Sequence, residues 1–211
     1  MTVSTLAGSG SNQAIDGSGS SAAIKTPASV AATPDGLRLL FTSRNSVRQI
    51  VLSTATVTTI AGSTSAGHVD QTGTQARFNF PYGLVVSADA STAYIADTLN
   101  HRVRQLSLSS SAVTTLAGSG SAASGDGVGI AASFNLPYDI ALSADGALLF
   151  VADASNQRIR RVEVASGAVT SLAGSGSAAY ADGIGAAASF DDPRGLALSA
   201  DGMALYVADR S

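Results

Sequence analysis

Tyr94-Ile95-Ala96-Asp97-Thr98-Leu99-Asn100-His101-Arg102-Val103-Arg104 is the stretch from which the architecture can be read. Aromatic, β-branched and small residues run into an Asp, and a short polar loop follows. An alternating segment then begins and continues as Gln105-Leu106-Ser107-Leu108. Aromatic and β-branched residues favour strands, and period-two alternation marks a strand with one apolar face. The same grammar returns as Phe150-Val151-Ala152-Asp153-Ala154-Ser155-Asn156-Gln157-Arg158-Ile159-Arg160 and continues as Arg161-Val162-Glu163-Val164. The unit is therefore two strands joined by a polar loop, used more than once.

Each unit is flanked by two further strand signals. Before it stands a segment apolar on both faces, Gly83-Leu84-Val85-Val86-Ser87 or Asp139-Ile140-Ala141-Leu142-Ser143. Turns built on Asp35, Asp89, Asp145 and Asp201 join that segment to the next, a hairpin signature. After the unit comes Val-x-[Thr/Ser]-[Leu/Ile]-Ala-Gly, at residues 3–8, 57–62, 113–118 and 169–174, with offsets of 54, 56 and 56. Pro27, Pro81, Pro137 and Pro193 keep the same offsets. Short strands at this repeat length, with no helical periodicity, predict an all-β fold: a β-propeller of four-stranded antiparallel blades. The small apolar segment is the innermost strand, and the Val-x-Thr-Leu-Ala-Gly segment is the outermost.

This register predicts a single unit over 1–211: an outer strand at 3–8, blades at about 27–62, 81–118 and 137–174, and a partial blade at 193–211. The expected form is an incomplete or open arc of about four blades. A six-bladed ring at this period needs on the order of 340 residues, so the sequence reads as C-terminally truncated. A closed four-bladed ring is the alternative, and open strand edges would also admit self-association.

The run 94–104 resembles the core of an NHL repeat, named for an Asn-His-Leu triplet. Asn100-His101 stand in place here, with Arg102 third. The third copy has Gln157 for the His. The first, Leu40-Phe41-Thr42-Ser43-Arg44-Asn45-Ser46-Val47-Arg48, has Ser43 for the Asp and a loop two residues shorter. The fourth stops at Asp209-Arg210-Ser211. The resemblance implies a propeller and admits interaction scaffolds, RNA binders and a few enzymes.

Composition narrows those roles. Charged residues are 13% of the chain, about half the usual share, and the net charge is −3. That balance argues against nucleic-acid partners and anionic membrane surfaces. No apolar run approaches the ~20 residues of a membrane helix. Residues 1–10 are polar, without the basic and apolar regions of a signal peptide. There are no cysteines, two histidines and one glutamate, Glu163, so no nucleophile–base pairing is visible and no cofactor is expected. Lyase-like propellers use a histidine-rich metal centre and lactonase-like ones a central Glu/Asn/Asp set; neither can be assembled from these residues.

The reading is therefore a non-catalytic scaffold for a protein or glycan partner. The alternative is a piece of a lyase- or lactonase-like propeller enzyme whose catalytic residues lie elsewhere. Long loops at 119–136 and 175–192 share one face with the loops of the motif, and that face is the candidate surface. It would carry Tyr82, Tyr138 and Arg194, each following a proline, with Asn100, His101, Asn156 and Gln157; the alternative is that the two tyrosines simply pack beside the channel. Asp97, Asp153 and Asp209 recur once per repeat; they are weak metal candidates and stronger hairpin caps. Asp16, Asp70, Asp126 and Asp182 are read as turn residues in the long loops. Phe78, Phe134 and Phe190, with Ile24, are expected to plug the gaps between blades, and the strand-three arginines to lie on a solvated face.

Overall fold

The computed structural model describes residues 2–210, so Met1 and Ser211, the ends of the expected unit, lie outside it. Strand β1 (Gly17–Ser18) precedes a first blade of β2 (Pro27–Ala32), β3 (Arg38–Ser43), β4 (Ser46–Val51) and β5 (Thr56–Gly62). The second blade comprises β6 (Pro81–Val86), β7 (Thr92–Asp97), β8 (Arg102–Ser107) and β9 (Val113–Ala117). After β10 (Gly127–Val128) comes a third blade of β11 (Pro137–Leu142), β12 (Leu148–Asp153), β13 (Arg158–Glu163) and β14 (Ala168–Ala173). A two-stranded sheet, β15 (Pro193–Leu198) and β16 (Leu205–Asp209), completes the order. Every pairing between named strands is antiparallel. The inner strands β2, β6, β11 and β15 pack in succession along an open arc. Among the described residues no helix is long and apolar enough to cross a membrane.

The Asp turns form as their chemistry dictates. In all four, the carboxylate accepts the hydroxyl two residues before it and the N–H two residues after it, as in Ser87 Oγ to Asp89 (2.5 Å) and Ser91 N–H to Asp89 (3.0 Å). These bonds hold the exposed Asp89 carboxyl down at about 2. The fourth turn residue takes positive φ: Gly36 (68°), Gly146 (72°) and Gly202 (71°), but Ala90 (55°) in the second blade.

The core lies between blades. Successive residues of a strand face opposite neighbours. In β7, Ala93 and Ile95 pack with Leu40 and Val47 of the first blade, while Tyr94 and Ala96 pack with Leu149 and Val151 of the third. Phe78 and Phe134, both fully buried, sit in these two inter-blade clusters as expected. At the free ends of the arc the corresponding faces are open: Val30 is 62% exposed and Tyr206 65%.

Three expectations are corrected. Residues 3–8 form no strand, and Val3 is 91% exposed. An outermost strand needs a third strand to pair with, and none of the described residues supplies one there. Nor are the alternate arginines solvated: Arg48, Arg104 and Arg160 are completely buried. The long loop before each blade folds back over that face and supplies Asp16, Asp70 and Asp126 as their ion-pair partners, so these aspartates are more than turn residues. A bulge assists the arrangement. Val103 pairs Ala117 while Arg104 pairs Thr115, leaving Leu116 as an extra residue, and Thr115 N–H donates to Asp70 (3.1 Å). Finally, Asp97 and Asp153 do not simply cap their own hairpins. Each carboxylate draws together the chain entering the blade, its own loop and the buried arginine.

Candidate functional site

That carboxylate knot organises the loop face. Asp97 accepts the Asn79 N–H (2.8 Å), the Asn100 side-chain amide (2.8 Å) and Arg104 Nη1 (2.7 Å). Arg104 Nη2 reaches Asp70 (2.5 Å), and its guanidinium lies over the Phe78 ring, 5.1 Å from the centroid. The third blade repeats the knot: Asp153 accepts from Asn135 N–H (2.7 Å), Asn156 (2.8 Å) and Arg160 Nη1 (2.8 Å). Burial pushes both carboxyls up, and their arginine partners pull back toward the ionised form. Asp209 accepts the Asp191 N–H through both oxygens (2.9 and 3.0 Å). These three aspartates serve separate blades. Among the described residues no three His, Asp or Glu side chains gather as a metal-binding group.

Each remaining motif residue reaches a partner. Asn100 and Asn156 also donate to the long loops, at Gly67 O (2.7 Å) and Ala123 O (2.9 Å). His101 Nδ1 accepts the Leu136 N–H (3.1 Å), and Gln157 Oε1 accepts the Asp192 N–H (3.0 Å). Asn45 does the same for Phe80 N–H (3.2 Å). The three acceptors grip residues of positive φ (Phe80 47°, Leu136 53°, Asp192 65°) that immediately precede the prolines of the following blade. Such backbone is strained for residues other than glycine, and a fixed N–H helps to hold it. The His position of the motif is thus a stitch from one blade to the next. Burial, with Arg102 nearby, holds His101 below the usual imidazole range, which favours the neutral ring an accepting Nδ1 requires.

Tyr82, Tyr138 and Arg194 are the predicted residues that meet side by side. They stand at one register position on β6, β11 and β15, where the first blade has Ala28. The Tyr82 and Tyr138 rings lie 4.3 Å apart, tilted by 38°. The Arg194 guanidinium covers Tyr138, 4.3 Å from its centroid, donates to its hydroxyl (2.9 Å) and pairs with Asp192 (2.8 Å). The row borders a groove of about 270 Å³ whose floor includes Gly83 and Gly195. Burial, then the adjoining Tyr82, hold the Tyr138 hydroxyl above the usual phenol range.

Asp139 also lines this groove, at a position the repeat pattern does not mark as a site. Its carboxylate accepts the Leu196 N–H (2.9 Å) of the neighbouring inner strand, and burial raises it. A Cβ on Gly83 would come within 2.5 Å of Asp139 Oδ1, so glycine is what allows these strands to approach. The signal was legible: Asp139 is a charge in a strand otherwise suited to full burial.

No family model matches the chain. Curated relatives do. The chain is 33% identical over 99 residues to NHL repeat-containing protein 2 of Bos taurus, covering 46% of this chain and 14% of that protein. These are NHL repeats. The same NHL chain is 30% identical over 154 residues to SUPPRESSOR OF QUENCHING 1, chloroplastic, of Arabidopsis thaliana, covering 71% of this chain and 15% of that one. It therefore spans about a seventh of the length of these relatives. Among solved structures, the NHL chain is similar to an auxiliary nutrient binding protein from Bacteroides thetaiotaomicron (TM-score 0.55, 15% identity, 98% of this chain and 73% of that one). It also resembles a putative phosphatase from the same organism (TM-score 0.66, 18% identity, 88% and 46%) and a chain of a nidogen–laminin complex (TM-score 0.59, 15% identity, 88% and 56%). At such identities the likeness is one of fold.

Proposed function

We propose that the chain is a non-catalytic interaction scaffold that engages a protein or glycan partner through its loop face, with Tyr82, Tyr138 and Arg194 as the contact row. The observation that carries this reading is the stacked row itself. Two aromatic faces and a cation, partly exposed, line up on successive inner strands beside a groove. Tyrosine brings a large rigid contact area with a polar tip, and tyrosine and arginine are enriched at recognition hot spots. The motif residues Asn100, His101, Asn156 and Gln157 support the row indirectly, by tying down the loops and strand starts around it.

Replacing Tyr82 and Tyr138 with Ala together tests the reading. Binding to a glycan array and capture of protein partners by the immobilised chain would be compared with wild type. Loss of the bound species on the order of tenfold or more, with the circular dichroism spectrum unchanged, is the expected result. Undiminished binding by the double variant overturns the proposal.

A further inference from the structure

The first blade departs from the others at the carboxylate knot. Ser43 stands where Asp97 and Asp153 stand, and the β3–β4 connection is two residues shorter, so there is no counterpart of Asn100. Arg48 is nevertheless retained, completely buried in the same register. Its Nη2 pairs with Asp16 (2.9 Å), but Nη1, which in the other blades also reaches the second carboxylate, donates to Ala23 O (2.8 Å) alone. The backbone N–H of Lys25, at the position of Asn79 and Asn135, has no protein acceptor among the described residues. One negative charge has been removed and its donors kept.

The shortened connection leaves room as well. A cavity of about 610 Å³ opens beside Ser43, lined by Lys25, Arg44, Asn12, Gln13 and Asn45, the last already donating to Thr64 O (3.1 Å). Its one carboxylate among the described residues, Asp16, is already committed to Arg48 and to the Thr59 N–H (2.9 Å). With two cations against one carboxylate in its lining, the cavity carries an excess of positive charge in a chain whose net charge is −3. A cavity of this size, bordered by two cationic side chains, suits a small polar molecule.

We propose that this cavity binds a small carboxylate-bearing ligand, whose carboxylate faces Lys25 and Arg44. The site is separate from the tyrosine row and does not depend on it.

Isothermal titration of the full chain with succinate, succinamide and inorganic phosphate tests the assignment. Succinate should bind, and neutral succinamide should bind at least about tenfold more weakly, the equivalent of removing one charge-assisted hydrogen bond. Ser43→Asp gives the blade its own carboxylate, so it should raise the melting temperature and abolish succinate binding. Should that variant fail to fold, Arg44→Gln on the cavity rim should by itself weaken succinate about tenfold. No succinate binding by wild type at millimolar concentration overturns the proposal. So does equal affinity for succinamide, tighter binding of phosphate than of succinate, or binding that survives in both variants.

Discussion

The second and third blades close their arginine between two carboxylates, whereas the first keeps the arginine and drops one of them. All three guanidinia are fully buried and each lies over a phenylalanine ring, so the cost of burial is common to the blades. The Phe position itself adapts. Phe78 and Phe134 come from the long loops, but the first blade has Ile24 there and covers Arg48 with Phe41 of β3, 5.6 Å from the ring centroid. The lesson is that the ion pair to the long loop, through Asp16, Asp70 or Asp126, is the common element. The inner carboxylate belongs to the longer loop carrying Asn100 or Asn156. Loop length and carboxylate change together because Asn100 and Asp97 bond each other.

Breaking that coupling should have the largest effect. Asp97→Ser, which imports the first-blade residue without its shorter loop, leaves Arg104 half-paired, the Asn79 N–H without its acceptor and the Asn100 amide with only Gly67 O. Removing one partner of a buried pair costs about 3–5 kcal/mol. Urea denaturation followed by circular dichroism should show a loss of this size. Combining Asp97→Ser with deletion of Leu99 and Asn100, which reproduces the first-blade connection, should recover part of it. A loss under about 1 kcal/mol for the single substitution would show that the knot adds little beyond packing.

A second contrast sets His101 against Gln157, which accept equivalent N–H groups but differ in titration. His101→Ala strands the Leu136 N–H and should cost about 1–3 kcal/mol, while His101→Gln should cost little. The sign of the pH effect follows from the lowered imidazole. The unfolded state binds the proton more readily, so the stabilisation is full above the unfolded value of about 6.5 and is lost as pH falls through and below it. His68, lowered mainly by burial and then by Arg104 and Arg102, acts in the same direction. Denaturation midpoints between pH 7.5 and 5 should therefore fall more in wild type than in His101→Gln, with His68 accounting for the remainder. Parallel curves would remove His101 as the titrating stitch.

Much of the fold was legible because it rests on local signals. The Asp turns, the prolines and the Val-x-Thr-Leu-Ala-Gly strands each fold with near neighbours, and all fall where the register puts them, residues 3–8 apart. That exception is instructive: an outer strand is only half a signal, its other half being the strand it pairs with. The buried arginines look exposed in the sequence for a related reason. Period-two alternation in β8 and β13 shows that Arg104 and Arg160 share a face, but not that a loop some 30 residues earlier in the chain returns to cover it with Asp70 or Asp126. Similarly, the recurrence of Tyr82, Tyr138 and Arg194 after proline put them in register, while their stacking depends on how closely Gly83 lets the inner strands approach. The first-blade cavity was the least visible, since it arises from two absences, an Asp and two loop residues.

The smallest contrast lies at the opposite face, in the hairpins joining inner to second strands. Three blades place glycine at the left-handed position, and the second places Ala90 there at φ 55°. A Cβ in this region costs about 1–2 kcal/mol, set against the roughly 0.4–1 kcal/mol that glycine adds in unfolded-chain entropy. Nothing crowds the corresponding glycines, since a Cβ on Gly36, Gly146 or Gly202 meets no atom within 4 Å, so the difference is purely one of backbone preference. Ala90→Gly should therefore raise stability by under about 1 kcal/mol, a gain of roughly 1–3 °C in melting temperature at this chain length. Gly146→Ala should lower it by a similar amount. If both substitutions move the melting temperature in the same direction, side-chain contacts at the turn outweigh the backbone preference, and the equivalence of the hairpins fails.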